Sequence, residues 1–330
     1  MTTSRHIAEV TDPPSLHPEV RFAGLRIAVL VPCYNEAAAI EQVIAGFRRA
    51  LPQARILIFD NNSTDDTVAI AQKAGAETRH VTRQGKGNVV RRMFADVEAD
   101  LYLLVDGDAT YDAASAPKLI ERLLAEGLDM VVGARKDTAV EAYRPGHRFG
   151  NHVLTEFVAR VFGRAFNDIL SGYRVFSRRF VKSFPAISIG FEIETELTIH
   201  ALELRMPIAE VETPYFARPV GSVSKLNTWR DGARILRMIL RLYQLQRPLS
   251  FFSWIAGGLA AAAVILSIPV LITFIETGLV PRLPTAVLST GLMLLASLSL
   301  TCGLILDNVT RGRQEMKRLF YLGIEGIRRD

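Results

Sequence analysis

Two stretches without a single charge, Leu249 to Ile275 and Leu283 to Leu306, restrict this 330-residue chain more than any other feature. A helix crosses the ~30 Å hydrocarbon core of a bilayer in about 20 residues, and both stretches are longer than that. Two helices buried in a soluble domain would be the other way to hide them, but adjacent uncharged runs of this length rarely occur in a water-soluble core. Charged residues make up an ordinary 22% of the chain while apolar ones reach 49%, so the apolar excess is gathered in particular places.

The flanks set an expected orientation. Arg230, Arg234, Arg237, Arg241 and Arg247 precede the first run, and Arg311, Arg313, Lys317, Arg318, Arg328 and Arg329 follow the second. The link between the runs carries only Glu276 and Arg282. The positive-inside rule therefore predicts that both termini and the preceding domain are cytoplasmic, and the expected location of this integral protein is the plasma (inner) membrane. The net charge of +5 reads as attraction to anionic lipid and not as a nucleic-acid footprint. Two cysteines, Cys33 and Cys302, give no disulfide framework, which suits a cytosolic domain. Residues 1–24 are polar and Pro-containing without an apolar core, so a disordered tail is expected in place of a signal peptide.

From residue 25 the pattern alternates. "RIAVLVPCYN", "ARILIFDNNS", the weaker "AETRHVT", "DLYLLVDGD" and "LDMVVGAR" read as strands. Between them lie helical segments such as "AAIEQVIAGFRRAL", "DDTVAIAQKAGA" with an N-cap at Ser63 or Thr64, and "SAPKLIERLLAEG". This alternation predicts an α/β domain with a mainly parallel sheet covered on both faces. From Pro145 to Leu204 the pattern is more helical, and "MPIAEVETPYFARP" returns to extended structure. The expected organisation is a tail (1–24), an α/β domain (25–226), an amphipathic juxtamembrane helix (227–248), a two-helix transmembrane hairpin (249–306) and a basic cytoplasmic tail (307–330). The juxtamembrane helix mixes apolar residues with arginines at helical spacing, as an interfacial helix does, although an ordinary surface helix has the same pattern.

Ligands of such sheets bind beyond the carboxyl ends of the strands, and there the polar clusters fall: Asn35 and Glu36, Asp60 to Asp66, Asp106 and Asp108, and Arg135. Asp106 and Asp108 flank a glycine at a strand end. Such a pair suits a hard divalent cation, Mg²⁺ or Mn²⁺, that takes its other ligands from water and phosphate; an acidic turn is the plainer alternative. No P-loop and no G-x-G-x-x-G follows the first strand, which disfavours those nucleotide sites. "RQGKGNVVRR" could cradle phosphate or simply begin a helix.

In this order and spacing, "VPCYNE", "DNNSTDDT", "DGD", "DILSGYRVF" and "GSVSKL" resemble the inverting family-2 glycosyltransferases of the GT-A fold. With the two apolar runs, the chain looks like the membrane polyprenyl-phosphate glycosyltransferases. The resemblance covers roughly residues 26–310 and implies a GT-A, Rossmann-like catalytic domain, a nucleotide-sugar donor (UDP- or GDP-linked) and a polyprenyl phosphate acceptor. By position it implies that Pro32, Tyr34, Glu36 and Asp60 line the nucleoside pocket, and that Asp106 and Asp108 take the metal and the donor diphosphate. Arg135 and Arg148 would hold the acceptor phosphate. Asp168, Ser171 and Gly172 would close the sugar end, and Arg218, Ser224 and Lys225 would clamp the diphosphate. Thr110 departs from the glutamine often found at that position.

Glu192, Glu194 and Glu196 admit two readings: acids favourable to a helix start, or a general base, with Glu192 the one singled out. A base would point to a membrane-lipid hydroxyl as acceptor. A non-catalytic nucleotide-sugar-binding scaffold is the remaining alternative. Two spans are compatible with self-association.

Overall fold

The computed structural model describes residues 22–137, 156, 168–190, 192–219, 241 and 243–327. Arg148, Ser224 and Lys225, and most of the expected interfacial helix, lie outside these residues.

Among the described residues, seven strands form one sheet in the order β3-β2-β1-β4-β6-β5-β7. They are β1 Ile27–Cys33, β2 Arg55–Asp60, β3 Glu77–His80, β4 Leu101–Leu104, β5 Met130–Asp137, β6 Arg174–Ser177 and β7 Ile208–Tyr215. All neighbours are parallel except β6, which runs antiparallel to β4 and to β5. Strand side chains alternate between faces, so each central strand feeds two cores. Ala28, Leu30, Leu57, Phe59, Tyr102 and Leu104 enter one, and Ile27, Val29, Val31, Ile56, Ile58, Leu101 and Leu103 the other.

Helices α1 (Ile40–Ala50), α2 (Thr67–Lys73), α3 (Lys86–Asp96) and α4 (Ala116–Glu126) alternate with strands β1 to β5 in the chain. In α1, Ile40, Val43, Ile44 and Phe47 are buried, the i, i+3, i+4, i+7 stripe of a helix laid on a sheet. Helix α4 repeats it with Ala116, Leu119, Ile120 and Leu123 and stops at Gly127, whose φ of 65° supplies the left-handed cap. Helix α2 starts later than its sequence suggests: Asp66, not Ser63 or Thr64, precedes its first turn, because Ser63 and Thr64 bond instead to Asn35 in the loop after β1. Helices α5 (Arg178–Ser183) and α6 (Ile193–Leu204) follow β6.

β6 is the element the sequence pattern does not announce. Its four residues lie in a segment that reads as helical, and all are buried. An antiparallel strand enters the sheet from the edge where its parallel neighbours leave. The loop 168–173 before β6 is therefore delivered to the same rim as the carboxyl ends of β1, β2, β4, β5 and β7.

The apolar runs are helices α7 (Pro248–Thr277) and α8 (Leu283–Leu322). Large apolar side chains point outward along both, with Trp254 78% and Ile265 66% exposed. Apart from Pro248 at the start of α7, the buried positions are small residues seven apart, Ala256 and Ala263 on α7 and Ser289, Ala296 and Gly303 on α8. That repeat gives two helices a close, left-handed seam. Both are long and apolar enough to cross a membrane.

Where a tail was expected from residue 307, α8 continues to Leu322. At 40 residues it is ~60 Å long, about twice the hydrocarbon thickness. Its polar end docks on the α/β domain. Lys317 pairs with Glu203 of α6 at 2.7 Å, and the Tyr321 hydroxyl donates to Asp129 at 2.5 Å, while Arg179 lies over the Tyr321 ring. The "RQEMKRLF" segment changes composition without breaking helix propensity, so the end of the apolar run is not the end of the helix.

Candidate active site

The loops after β1 and β2 are sewn together. Asn35 accepts from the Thr64 N–H at 2.7 Å and its own N–H donates to the Ser63 hydroxyl, while the Glu36 N–H donates to Thr67. Asp65 accepts from Ala37 and Thr67. Burial pushes its carboxyl up, but these bonds outweigh burial and hold it below the ordinary value. This holds the "YNE" segment, with Tyr34 partly exposed, above Pro32 at the end of β1. Asp60, nearly buried at the end of β2, accepts from the Ser63 N–H and meets His80 of β3 at 3.1 Å.

Asp106 and Asp108 follow β4 and each meets a cation from elsewhere in the chain. Lys86 Nζ donates to Asp106 Oδ1 at 2.5 Å and also pairs with Glu194 at the start of α6. Burial pushes the Lys86 ammonium down, but Asp106 and Glu194 more than offset it and raise it above the ordinary lysine value. Burial raises Glu194, with Lys86 opposing. Lys86 thus resolves the "GKG" segment: it opens α3 and points into the rim, without a side-chain cap. The glycines on either side are required by close approach, since a Cβ at Gly87 would lie 2.2 Å from the Ser188 carbonyl oxygen and one at Gly85 2.4 Å from that of Ile189.

Asp108 accepts from the Thr110 hydroxyl at 2.6 Å and pairs with Arg218 beyond β7 at 2.7 Å. Thr110 therefore orients the second carboxylate. A Cβ at Gly172 would fall 2.5 Å from Asp106 Oδ2, so only glycine lets the loop before β6 close over it. The Gly172 N–H donates to the Tyr111 hydroxyl, which fixes that loop from below. Arg135, at the end of β5, clasps Asp168 through two 2.7 Å bonds and lies over the Tyr215 ring. A fork-to-carboxylate clasp of this kind fixes the plane of the guanidinium.

Two expectations change. Ser171 is fully buried and its hydroxyl donates to the Gly133 carbonyl at 2.6 Å, so it braces the loop and does not face a ligand. Glu194, not Glu192, is the glutamate at the rim, and Glu196 accepts from the Ile187 and Ser188 N–H groups. Sequence reading also missed Arg174. It is fully buried in β6, where it bonds to the Ile169 and Ser171 carbonyls and to Thr198, and burial lowers it to about 10. An arginine inside the apolar "YRVF" run was the available signal.

Asp106 and Asp108 fit a divalent cation by chemistry: two carboxylates at one strand end, already facing positive charge, with room in the donor set for phosphate oxygens. Among the described residues no cluster of three or more acidic, histidine or cysteine side chains could hold a metal, so such an ion would depend on its ligand for further contacts.

Comparison with known proteins agrees with this architecture. The model of glycosyl transferase family 2 matches residues 28–184. Glycosyltransferase AglJ of Haloferax volcanii is 33% identical over 296 residues, 89% of this chain and 97% of its own. Protein RfbJ of Shigella flexneri is 55% identical over 38% of this chain and 99% of its own. A dolichyl-phosphate hexose transferase of Haloferax volcanii is 27% identical over 66% of this chain and 93% of its own. Among solved structures, glucosyl-3-phosphoglycerate synthase from Mycobacterium tuberculosis with Mn²⁺, UDP and glucosyl-3-phosphoglycerate superposes with a TM-score of 0.57 at 25% identity, over 71% of this chain and 85% of its own. The chain belongs to glycosyl transferase family 2 and is a glycosyltransferase.

Proposed function

We propose that this glycosyltransferase moves a sugar from a UDP- or GDP-sugar to a polyprenyl phosphate at the cytoplasmic face of the membrane, with inversion at the anomeric carbon. The observation that carries the reading is helix α6. Its first turn holds Glu194 in the Lys86–Asp106 network, and its last holds Glu203 against Lys317 of the membrane helix. Twelve residues of helix span only ~18 Å, and this short link between the rim and the end of α8 supports an acceptor drawn from the membrane surface. A relative named as a dolichyl-phosphate hexose transferase supports the same acceptor class.

On this reading Pro32, Tyr34, Glu36 and Asp60 receive the nucleoside. Asp106 and Asp108 would hold Mg²⁺ or Mn²⁺, which offsets charge on the leaving diphosphate. Lys86 and Arg218 now neutralise that acidic pair and lie where they can share the same task. Arg135, with its plane set by Asp168, positions the acceptor phosphate, assisted by Arg148. A phosphate monoester with a second pKa near ~6 is largely dianionic at pH 7, so the acceptor needs no general base. Ser224 and Lys225 would complete the diphosphate clamp. The arginine-rich flanks of α7 and α8 support a cytoplasmic rim.

The test is product analysis. Full-length protein in detergent is given Mg²⁺ or Mn²⁺, a polyprenyl phosphate, a diacylglycerol and a panel of UDP- and GDP-sugars, with lipid products read by mass spectrometry. A sugar on the polyprenyl phosphate, from one preferred donor, is expected. A product on diacylglycerol alone would overturn the acceptor and call for a base.

A further inference from the structure

An open cavity of about 460 Å³ is lined by α6, the 184–189 loop, residues leading into α7 and the polar end of α8. Four polar atoms buried in its lining have no hydrogen-bond partner: Thr195 Oγ1, His200 Nδ1, Glu203 Oε1 and Gln246 Oε1. Thr195, His200 and Glu203 are 1%, 2% and 7% exposed. Burying a polar group without a partner is costly, so four around one space point to an occupant.

The orphaned atoms specify its chemistry. The Ser183 hydroxyl donates to the Phe180 carbonyl and so accepts from His200 Nε2 at 3.1 Å, which leaves Nδ1 as an acceptor. Glu203 Oε1 and Gln246 Oε1 are acceptors too, and Thr195 serves either way. The occupant must therefore bring donors. At the other side stand Arg241, Arg313 and Lys317. Lys317 is engaged by Glu203, while Arg313 makes a long 3.4 Å bond to the Leu245 carbonyl. This combination suits an anionic phosphodiester whose far end carries hydrogen-bond donors.

The cavity's position suggests where such a group comes from. Gln246 lies two residues before Pro248, the first residue of α7, at headgroup depth if that helix spans the bilayer. Ile187 and Ile189, each 65% exposed, form an apolar lip on the adjacent loop.

We infer that this cavity is a headgroup site for a membrane phospholipid with a donor-bearing head, an ethanolamine ammonium or a glycerol diol, distinct from the sugar acceptor. A polyprenyl phosphate does not meet the requirement, because beyond its phosphate it has no donor to offer Glu203 or His200. Occupancy would lock α6 to α8 through the Glu203–Lys317 pair and hold the rim at a fixed height above the bilayer. The inference does not depend on which acceptor the rim uses.

The test is native mass spectrometry of the full chain released from mixed micelles holding equal amounts of phosphatidylethanolamine, phosphatidylglycerol, phosphatidylcholine and a polyprenyl phosphate. Phosphatidylcholine has a phosphodiester but no headgroup donor. A one-to-one adduct of the ethanolamine or glycerol lipid is expected, about tenfold above phosphatidylcholine, the scale of one charge-assisted hydrogen bond. The double variant T195V/Q246L, which removes orphaned atoms without leaving a charge unpaired, should lose that preference while keeping its unfolding midpoint. Glu203→Gln separates the sources, since it should weaken an ammonium head more than a diol. Equal retention of phosphatidylcholine, an unchanged preference in T195V/Q246L, or wild-type protein with no phospholipid adduct would each overturn the site. A polyprenyl phosphate adduct lost in T195V/Q246L would reassign the cavity to the acceptor.

Discussion

At the strand ends Lys86, Asp108 and Glu194 are charged and almost hidden, with Lys86 and Glu194 side chains 10% and 5% exposed. In the stem Trp254, Ile265 and Ile275 are apolar and 78%, 66% and 75% exposed. Both regions depart from the ordinary placement of residue types, and each departure is consistent with the surroundings proposed for it. Hidden charge is tolerated where it is paired and where a charged ligand will exchange with the pair. Apolar surface faces outward where the surroundings are hydrocarbon. Helix α6 joins the two, pairing with Lys86 at one end and with Lys317 of α8 at the other.

The sharpest way to break this contrast is at Asp108. Replacing it with Asn should lower sugar transfer by 10²–10³-fold or more, the usual scale for losing one group that stabilises developing charge. Excess chelator should abolish transfer in wild-type protein that circular dichroism finds folded. Lys86→Met strands Asp106 and Glu194 and should destabilise the domain by about 3–5 kcal/mol, read as a lower unfolding midpoint. Adding Glu194→Gln to it should restore part of that loss, because one stranded charge is removed.

On the stem side, Ile265→Arg puts a charge in mid-helix and should cost about 2.5–3.5 kcal/mol of insertion, visible as a smaller membrane-bound fraction. A smaller effect is expected at the junction. Burial holds His200 down to about 3, with Lys317 contributing, against about 6.5 in the unfolded chain. Between those values the unfolded chain binds a proton that the folded one does not, so stability falls as pH falls through this window. The gap in unfolding midpoint between wild type and His200→Gln should therefore narrow from pH 7 to pH 4.5.

Much of the frame was legible because periodicity is local. β1, β4, α1 and α4 follow from residues within ten positions of one another, and the two apolar runs from composition alone. β6 was not legible: four residues in a stretch of helical pattern become a strand only because β4 and β5 leave a slot between them. The site divides the same way. Asp106 and Asp108 stand out as carboxylates ending an apolar strand. From sequence Lys86 could equally have started a helix or faced phosphate; the structure has it open α3 and point at Asp106, which leaves both roles compatible. Choosing Glu194 over Glu192 required the rotational phase of α6 relative to α3, a tertiary quantity that no local spacing contains.

On the proposed function the acidic pair after β4 receives a cation together with a diphosphate. Electron paramagnetic resonance of Mn²⁺ titrated into the full chain, with and without UDP or GDP, tests it most directly. Weak Mn²⁺ binding alone, marked tightening with one nucleoside diphosphate, and loss of both in Asp106→Asn and Asp108→Asn are expected. Mn²⁺ binding that is indifferent to the nucleotide, or that survives in both variants, would contradict it.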